Sequence, residues 1–589
     1  MSGDWQNIPA MLLDWASRKG DGPFLWGKAG SGWRAISWTE AAATVRLLAR
    51  GLAALGIEPG DRVAIVMENR PEWVLADLAI MAAGAITVPA YTTYTTEDYR
   101  HVLADSDAKL LLLGTGGLAA RVLPAADQIA HLSAIVSLEP LKGQTRADAY
   151  GWQQLLELAE GVPDTVDARV ATIAADQTAC LIYTSGTGGV PKGVMLTHRN
   201  MMSNALAAKA LLEASYAFAE EVFLSFLPLT HSYEHTAGVV FPLSIGAQTY
   251  FTTPETIATD MGAVRPTLMT AVPRLCETLQ KRIMQAVERS GKAKRLLFRQ
   301  ALNLGYRRYL HGDRRNLVER WADRLLDRLV RAKIQQRFGG RLKAFVSGGA
   351  PLNEDTGRFF VALGITLIQG YGQTEAGPVI AVNPPLRIKI DTVGPPLSGV
   401  ELRIADDGEV LVRGPNVMKG YWRDEETTRR TIRDGWLHTG DVGELDEDGY
   451  LKITDRKRDF IKNSGGEMIS PARIEGLLTH QNGISQAMAF GDGRPYVVAL
   501  IVPDEEELAK HGAAAARDPA VQQAVSDAVA VVNQGLTNVE RIRRFAILDE
   551  AFTVANGMMT PTLKIKRHMI RQHHAETLAG LYDGQKPAT

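Results

Sequence analysis

The chain has 589 residues, 46% of them hydrophobic and 22% charged, a composition typical of a globular protein with several domains. A net charge of −1 gives no general attraction to nucleic acid, and two cysteines exclude a disulfide scaffold or a cysteine-based zinc site. No basic stretch followed by an apolar stretch opens the sequence, so we expect no signal peptide and a cytoplasmic location.

Helical and strand patterns alternate through the first part of the chain. They predict helices at 39–57, 74–83 and 95–108, and strands at 61–67, 85–91 and 109–114. The apolar stretch 74–91 carries Asp77 and Pro89, which favours a buried helix and strand over a membrane span. This βαβ order predicts an α/β fold with a doubly wound, largely parallel sheet, in which ligands bind at the carboxyl ends of the strands.

A glycine-rich stretch follows the apolar run that ends at Tyr183. It reads "IYTSGTGGVPKG" (182–193), and its glycines let backbone N–H groups approach an anion closely. Lys192 adds a cation, so the pattern predicts a phosphate-binding loop. It is neither a P-loop nor a dinucleotide loop, because Gly193 follows Lys192 and Pro191 breaks the glycine spacing. The apolar run that comes next predicts that the loop joins two strands, and a hairpin without a ligand is the alternative.

Residues 281–343 are strongly basic, with 19 Lys or Arg against 5 Asp or Glu, a difference of +14. Leu317, Trp321, Leu325 and Val330 recur there at helical spacing and predict an amphipathic helix. One interpretation is an ordinary solvated helix face. The other is a peripheral contact with an anionic membrane surface, such as the inner face of the plasma membrane.

The pattern changes after about residue 390. The segments 400–422 and 443–455 alternate apolar and polar residues and contain Asp-Asp-Gly and Glu-Asp-Gly, which predicts β-hairpins and a β-rich subdomain. A small α+β unit is expected to follow. We therefore divide the chain into an N-terminal domain, 1–455, and a C-terminal domain, 456–589.

Four more polar stretches stand out, namely "VSGGAPL" (346–352), "GITLIQGYGQTEAG" (364–377), the segment 435–475 and "MMTPTLKIKRHMI" (558–570). Each alone is compatible with solvated turns and surface charges. In their joint order with the glycine-rich loop they resemble the adenylate-forming superfamily, from about residue 10 to 575. "LSFLPLTHSYEHTAG" and the basic insert resemble its long-chain fatty acyl-CoA synthetase branch.

The resemblance implies a reaction in two steps. A fatty acid attacks the α-phosphorus of ATP with Mg²⁺ present, and coenzyme A then displaces AMP from the acyl-adenylate. Alternatives on the same scaffold are an aryl or medium-chain acyl-CoA ligase, or a fatty acyl-AMP ligase that loads a carrier protein. A non-catalytic nucleotide-binding or membrane-surface protein is a third possibility, which the retention of Glu375, Asp441, Arg456 and Lys564 disfavours. Nothing in the sequence sets the oligomeric state.

The resemblance also implies roles for individual residues. Lys564 is expected between the α-phosphate and the attacking carboxylate, and Glu375 with Thr184 is expected to hold Mg²⁺. His231 is expected before the acyl pocket, with a core histidine as the alternative, and Gly238 with the two valines after it is expected to line that pocket. The residues implied to contact ATP are Thr184, Ser185, Gly186, Thr187, Gly188, Lys192, Gly348, Gly349, Ala350, Gln369, Gly370, Tyr371, Gly372, Thr374, Asp441 and Arg456.

The second step is expected to use the same site after the C-terminal domain rotates about a hinge at Arg458. Lys462, Gly465 and Gly466 are then implied to approach the pantetheine arm of coenzyme A. The chain departs from the family at Gly188, where a threonine is usual, and loss of that hydroxyl predicts a weaker grip on the nucleotide.

Overall fold

The computed structural model describes residues 5–30, 32–184, 190–312, 316–457, 461–465, 467–504, 512–560 and 565–582. Two compact units divide the chain. Unit 1 comprises Met1–Ala405, Leu411–Thr439 and Leu445–Lys452, and unit 2 comprises Asp406–Val410, Gly440–Glu444 and Ile453–Thr589.

The strands are, in chain order, β1 (Pro23–Ala29), β2 (Gly32–Ser37), β3 (Arg62–Val66), β4 (Ile86–Pro89), β5 (Ala108–Leu113), β6 (Ala134–Ser137), β7 (Asp148–Gly151), β8 (Thr178–Thr184), β9 (Lys192–Thr197), β10 (Val222–Ser225), β11 (Gln248–Phe251), β12 (Leu268–Ala271), β13 (Ala344–Ser347), β14 (Leu367–Gly372), β15 (Val379–Val382), β16 (Glu401–Ile404), β17 (Glu409–Arg413), β18 (Gly420–Tyr421), β19 (Ile432–Arg433), β20 (Trp436–Leu445), β21 (Leu451–Arg456), β22 (Ile461–Lys462), β23 (Met468–Ile469), β24 (Ile484–Phe490), β25 (Val497–Pro503) and β26 (Ile542–Ile547).

The α-helices are α1 (Ile8–Lys19), α2 (Trp38–Ala54), α3 (Pro71–Ala82), α4 (Thr96–Ser106), α5 (Gly116–Ala126), α6 (Trp152–Leu158), α7 (Val166–Thr172), α8 (His198–Glu213), α9 (Ser232–Glu234), α10 (Phe241–Ser244), α11 (Ile257–Val264), α12 (Pro273–Glu288), α13 (Lys292–His311), α14 (Leu317–Leu326), α15 (Ala332–Arg337), α16 (Glu354–Ala362), α17 (Glu425–Thr431), α18 (Pro471–Thr479), α19 (Pro519–Gln534), α20 (Arg567–His573) and α21 (Ala575–Gly580). Segments of π-helix lie at His235–Val240 and Asp327–Arg331. Short 3₁₀ segments lie at Ala159–Gly161, Thr374–Ala376 and Gly512–Arg517.

The first large sheet has the order β18-β9-β8-β4-β3-β5-β6-β7 within the described chain. Its strands from β8 to β7 run parallel, and β9 returns antiparallel to β8. Every residue of α3 except Glu72 is buried, which suits a helix between sheet layers. The predicted helices and strands of this part are confirmed, as is the prediction that the glycine-rich loop joins two strands.

Helix starts in this layer follow the sequence closely. The Ser37 hydroxyl accepts a hydrogen bond from the Glu40 backbone N–H at 3.1 Å, and the Glu40 carboxylate accepts one from the Ser37 N–H at 2.7 Å. The same reciprocal cap, Thr95 with Asp98, begins α4. Such caps satisfy backbone donors that the first turn of a helix leaves unpaired.

The second large sheet has the order β15-β14-β13-β12-β10-β11-β1-β2 in the described chain. The strands from β14 to β1 are parallel, while β15 and β2 close the two edges in the antiparallel sense. Helices cover both large sheets, so the predicted doubly wound α/β class is confirmed.

The later part of the chain is richer in β-structure. The strands β16, β17, β20 and β19 form a sheet in that order, with β21 beside β20. Consecutive strands pair across the Asp-Asp-Gly and Glu-Asp-Gly turns, as predicted. A hairpin of β22 and β23 and a sheet of β24, β25 and β26 follow in unit 2, beside α18 and α19.

The basic segment forms a helical insert, α12 to α15. The three segments α14, Asp327–Arg331 and α15 follow one another without a break from Leu317 to Arg337, so the predicted helix is confirmed. Among the described residues, no helix combines the length and apolar character that crossing a bilayer requires.

Candidate active site

One edge of the second large sheet gathers several of the predicted site residues of unit 1. The neighbouring strands β10, β12, β13 and β14 are parallel, so their carboxyl ends lie at the same edge. Gly348, Gly349 and Ala350 follow β13, and the stretch 369–372 forms the end of β14. Glu375 comes directly afterwards in a short 3₁₀ turn. This edge is where ligands bind in open α/β sheets.

The segment that follows β10 crosses this edge. The Ser232 and Thr374 hydroxyls lie 2.9 Å apart, and the Thr236 hydroxyl donates to the Gly377 carbonyl at 3.2 Å. The Tyr233 hydroxyl donates to the backbone carbonyl of β13 at 2.6 Å. The "THSYEHT" segment is therefore hydrogen-bonded to the ends of both β13 and β14.

His231 lies at the start of this segment and is half-buried. Its Nδ1 accepts a hydrogen bond from the Tyr233 N–H at 3.1 Å, which caps the short helix α9. A different histidine occupies the core, since buried His235 contacts Asp77 at 2.9 Å and packs edge-on against Trp73. The ring of His231 is thus fixed by its own turn.

Glu234 is a buried acid of the "THSYEHT" segment for which the sequence predicted no role. Its carboxylate accepts hydrogen bonds from the Ser225 hydroxyl at 2.5 Å and the Thr270 hydroxyl at 2.6 Å. Burial raises the pKa of Glu234 to about 7, although the two hydroxyls act in the opposite direction. A Cβ at Gly238 would lie 2.5 Å from this carboxyl group, so only glycine fits there. Glu234 therefore lies against the segment predicted to line the acyl pocket.

Glu375 is half-buried and accepts a hydrogen bond from the Tyr421 hydroxyl at 2.9 Å. No cation contacts its carboxylate among the described residues, and no group of three or more His, Cys, Asp or Glu gathers there or elsewhere in the described chain. Mg²⁺ commonly takes one or two protein carboxylates and completes its shell with water and phosphate oxygens. A single acid without a cationic partner fits that demand.

Lys192 is held by the N-terminal end of α17 in the same unit. Its Nζ lies 2.6 Å from Oδ2 of Asp424 and 2.6 Å from the Thr427 hydroxyl. The Lys192 ammonium, with help from the Thr427 N–H and hydroxyl, lowers the pKa of Asp424 to about 2. Lys192 also lies 5.7 Å from the centre of the Tyr421 ring. A cation predicted to bind phosphate is thus already paired with an acid.

One of the predicted adenine contacts, Gly349, has open space beside it. Gly349 has a φ of +82°, which favours glycine, and no atom lies within 4 Å of where its Cβ would stand. Gly349, Ala350 and Gly372 are exposed, and the stretch 369–371 is half-buried. The turn after β13 therefore presents open backbone at this edge, whereas a Cβ at Gly372 would lie 2.0 Å from the Pro378 carbonyl oxygen.

Four further described site residues belong to unit 2. Buried Asp441 receives the Arg456 guanidinium on its Oδ1 at 2.8 Å, so two residues predicted at the ribose are paired with each other. Lys462 ends β22, and Gly465 follows in the turn before β23, where its N–H donates to the Asn463 side chain at 3.0 Å. Both lie in one hairpin.

Several predicted residues lie outside the described residues. They are Ser185, Gly186, Thr187 and Gly188 of the glycine-rich loop, the proposed hinge Arg458, Gly466 and Lys564. Thr184, at the end of β8, and Lys192, at the start of β9, bound that loop.

Comparison with known proteins identifies the family. A model described as AMP-binding enzyme matches residues 12–422, and one described as AMP-binding enzyme C-terminal domain matches residues 458–586. The chain belongs to the AMP-binding enzyme family, and the resemblance to adenylate-forming enzymes is confirmed.

Curated relatives agree with this assignment, and a solved structure shares the fold. A long-chain-fatty-acid–CoA ligase from Mycobacterium tuberculosis is 34% identical over 99% of this chain and 98% of its own. A ligase of the same description from Xenopus laevis is 29% identical over 98% of this chain and 83% of its own. The adenylation domain of a carboxylic acid reductase from Segniliparus rugosus, solved with AMP and a carboxylic acid, has a TM-score of 0.76, with 22% identity over 98% of this chain and 94% of that one. That likeness shows the fold.

Proposed function

We propose that the chain is an ATP-dependent ligase that joins a long-chain fatty acid to coenzyme A. The acid is first converted to acyl-AMP with release of pyrophosphate, and acyl-CoA and AMP form in the second step. Family membership supports the adenylation, and the descriptions of the relatives support the acid and the acceptor. The observation that carries the proposal is the strand edge where the Ser232–Thr374 contact, Glu375 and the open backbone of Gly349 come together.

In the first step, an oxygen of the fatty acid forms a bond to the α-phosphorus and the bond to pyrophosphate breaks. The acid is already ionised at neutral pH, so the protein needs no nucleophile of its own and has to align two anions. We assign Lys564 to the charge that develops at the α-phosphate and Thr374 to a phosphate contact. Glu375 and Thr184 are assigned to Mg²⁺, which when bound neutralises charge on phosphate oxygens.

The other ATP contacts are proposed from the resemblance. The glycine-rich loop with Lys192 is assigned to the β- and γ-phosphates, and Asp441 with Arg456 to the ribose. The residues assigned to adenine are Gly348, Gly349, Ala350, Gln369, Gly370, Tyr371 and Gly372.

In the second step, the sulfur of coenzyme A bonds to the acyl carbon, the bond to AMP breaks, and the thiol proton is released to solvent. We assign Lys462, Gly465 and Gly466 to the pantetheine arm, and His231 with Gly238 to the acyl side. We further propose that residues 1–455 and 456–589 act as two domains. The second domain rotates about a hinge at Arg458 between the two steps.

We also propose that the protein works in the cytoplasm with a peripheral contact to the inner membrane face. A long-chain acid partitions into lipid, because each buried methylene contributes about 0.8 kcal/mol. An enzyme for such an acid gains access to its substrate at a bilayer surface.

The test is pyrophosphate release from ATP and Mg²⁺ with acids from acetate to oleate, with and without coenzyme A. The wild type is compared with Lys564→Ala and with Lys566→Ala, a matched lysine two residues further on. We expect turnover to peak with long chains and to depend on coenzyme A. By analogy with the loss of one oxyanion donor, Lys564→Ala should fall about 10²–10³-fold while the control keeps its rate.

The opposite outcomes identify the alternatives. A peak with short or aromatic acids would reject the long-chain assignment and leave the adenylation chemistry intact. Stoichiometric formation of acyl-AMP that is the same with and without coenzyme A would favour a ligase that loads a carrier protein. Absence of release with every acid would reject the proposed function.

A further inference from the structure

The outer face of α14 and of the π-helical segment that continues it exposes large apolar side chains to solvent. Leu317 is 81% exposed and Trp321 69%, and Val318, Leu325 and Leu329 are also exposed. We call these five residues the α14 face. Leu317, Trp321, Leu325 and Leu329 recur every four residues and so form one stripe along the helix. A contiguous apolar stripe of this kind marks an interaction surface, whereas isolated exposed leucines do not.

The inner side of this helix carries a buried ion pair beside apolar Leu326 and Val330. Asp323 and Arg331 are buried, and their charged groups lie 2.7 Å apart. The Arg331 guanidinium also donates to the Ala301 carbonyl at 2.5 Å and to the Ala362 carbonyl at 2.8 Å. These bonds to α13 and α16 fix the rotation of the helix about its axis. The α14 face therefore cannot turn inward without stranding a buried arginine.

Basic residues border the stripe. Arg324 follows Trp321 by three residues and Arg328 follows Leu325 by three, so each lies beside an apolar member of the stripe. Both arginines are exposed and form no ion pair with any residue that the structure describes. Exposed Lys333 continues this basic border along α15.

The acids of the same helix are already neutralised. Glu319 contacts Arg307 at 2.5 Å, and Asp327 contacts Arg331 at 2.5 Å. The stripe is thus surrounded by positive charge that the neighbouring acids do not balance. Its chemistry is complementary to a surface that is apolar in depth and negative at its boundary.

We propose that the α14 face, with Arg324 and Arg328, docks on an anionic lipid bilayer. The leucines and Trp321 insert into the interfacial region, where tryptophan is enriched, and the arginines contact lipid phosphates. The benefit of docking rests on the proposed function, since the fatty acid dissolves in the same lipid, while the geometry of the face is independent of it.

The test is flotation of the full chain with phosphatidylcholine vesicles, with and without phosphatidylglycerol. We expect binding only to the anionic vesicles at physiological salt. The double variant Trp321→Ser/Leu325→Ser should bind about a hundredfold more weakly, because each apolar side chain contributes about tenfold. The double variant Arg324→Gln/Arg328→Gln should bind anionic vesicles about 25-fold more weakly, or about fivefold for each arginine. It should also lose the preference for phosphatidylglycerol.

The matched control is Leu386→Ser, because Leu386 is 74% exposed but lies in the loop after β15. Its vesicle binding should equal that of the wild type. If Trp321→Ser/Leu325→Ser floats as well as the wild type, the docking proposal is wrong. If the wild type sediments as a dimer that this variant converts to monomers, the face is a subunit interface and the lipid proposal is again overturned.

Ligase activity on a short soluble acid, measured without vesicles, separates this inference from the proposed function. All of these variants should keep the wild-type rate. A wild type that floats but makes no acyl-CoA would reject the ligase and retain the docking surface. Normal ligase activity in a wild type that never floats would reject the docking surface and retain the ligase.

Discussion

Two buried carboxylates show how differently this molecule treats charge in two regions. Glu234, at the strand edge of the candidate active site, is 0% exposed and has the hydroxyls of Ser225 and Thr270 as its partners. Asp323, in the helical insert, is 3% exposed and meets the guanidinium of Arg331. No cation contacts Glu234 among the described residues.

The partner of a buried acid decides whether the charge of that acid can change with pH or is fixed. A hydroxyl leaves the negative charge of a buried acid uncompensated, so the acid keeps its proton up to a higher pH or accepts a cation. An arginine neutralises the acid at every pH at which the protein is folded. Removal of that arginine strongly lowers the stability, because it takes away a buried partner of the acid. Glu375, whose described partner is the Tyr421 hydroxyl, likewise has no cationic contact among the described residues. Acids without such a contact therefore lie at the strand edge, and a fixed pair supports the insert.

The largest effect tests the fixed pair. Arg331→Ala should lower the free energy of unfolding by about 3–5 kcal/mol, because it removes the buried guanidinium at 2.7 Å from Asp323 and leaves that acid with the longer contact to Arg308 at 3.4 Å. Urea unfolding monitored by circular dichroism measures the change. Arg324→Ala is the control on the same helix, and its exposed side chain should change the stability by less than about 0.5 kcal/mol. Equal effects of the two substitutions would remove the distinction that we draw.

Glu375→Gln tests the strand-edge acid that we assign to the metal. Pyrophosphate release should fall about 10²–10³-fold, equivalent to about 3–4 kcal/mol, because a neutral amide is a poor ligand for Mg²⁺. A titration with Mg²⁺ should restore part of the rate. Tyr421→Phe removes the hydroxyl partner but keeps the carboxylate, and should cost less than about tenfold. A rate near the wild type in Glu375→Gln would exclude Glu375 as the metal ligand.

Glu234→Gln tests the same idea through pH. The native state keeps the Glu234 proton up to about pH 7, whereas the unfolded chain releases it near its ordinary pKa of 4.5. The extra stability is therefore complete below pH 4.5 and is lost as the pH rises through 7. Between pH 5 and pH 8 the free energy of unfolding of the wild type should fall by about 2–3 kcal/mol more than that of the variant.

Urea midpoints at those two pH values measure the difference. Exposed Glu354 offers a matched control, and Glu354→Gln should retain the pH dependence of the wild type. If Glu234→Gln also retains it, Glu234 is ionised in the native state at pH 5 and the comparison with Asp323 fails.

The sequence predicted the strand edge, because the order of glycine-rich and polar stretches after apolar runs places them at strand ends. It also predicted the helix that carries Leu317, Trp321 and Leu325 from their spacing. It could not predict which side of that helix faces inward. That depends on Arg331 reaching the carbonyls of Ala301 and Ala362, which lie about 30 residues away in each direction.

The partners of single polar residues were equally hidden. Glu234 was visible in the quoted motif, but Thr270 lies 36 residues further along the chain. Asp424 follows the "GYW" run, and its contact with Lys192 spans 232 residues. Periodicity reports neighbours within one element, and contacts at such separations exist only after the sheets have formed.

The smallest effect concerns this last pair. Lys192 and Asp424 are both partly exposed, and such pairs contribute less than about 1 kcal/mol. If Lys192 exchanges Asp424 for a phosphate when ATP binds, the acid competes with the nucleotide. Asp424→Asn should then lower the KM for ATP by up to about fivefold and leave kcat unchanged.

Steady-state kinetics at two salt concentrations provide the measurement, and the difference should shrink as salt screens the pair. The difference in KM between the wild type and Asp424→Asn should be constant from pH 5 to pH 9. An acid with a pKa of about 2 stays ionised throughout that range and loses its effect only as the pH falls toward 2. Asp176→Asn, which breaks the exposed pair with Arg199, is the control. A higher KM in Asp424→Asn would mean that Asp424 positions Lys192 for the phosphate, and the pair would then belong with the fixed charges of the insert.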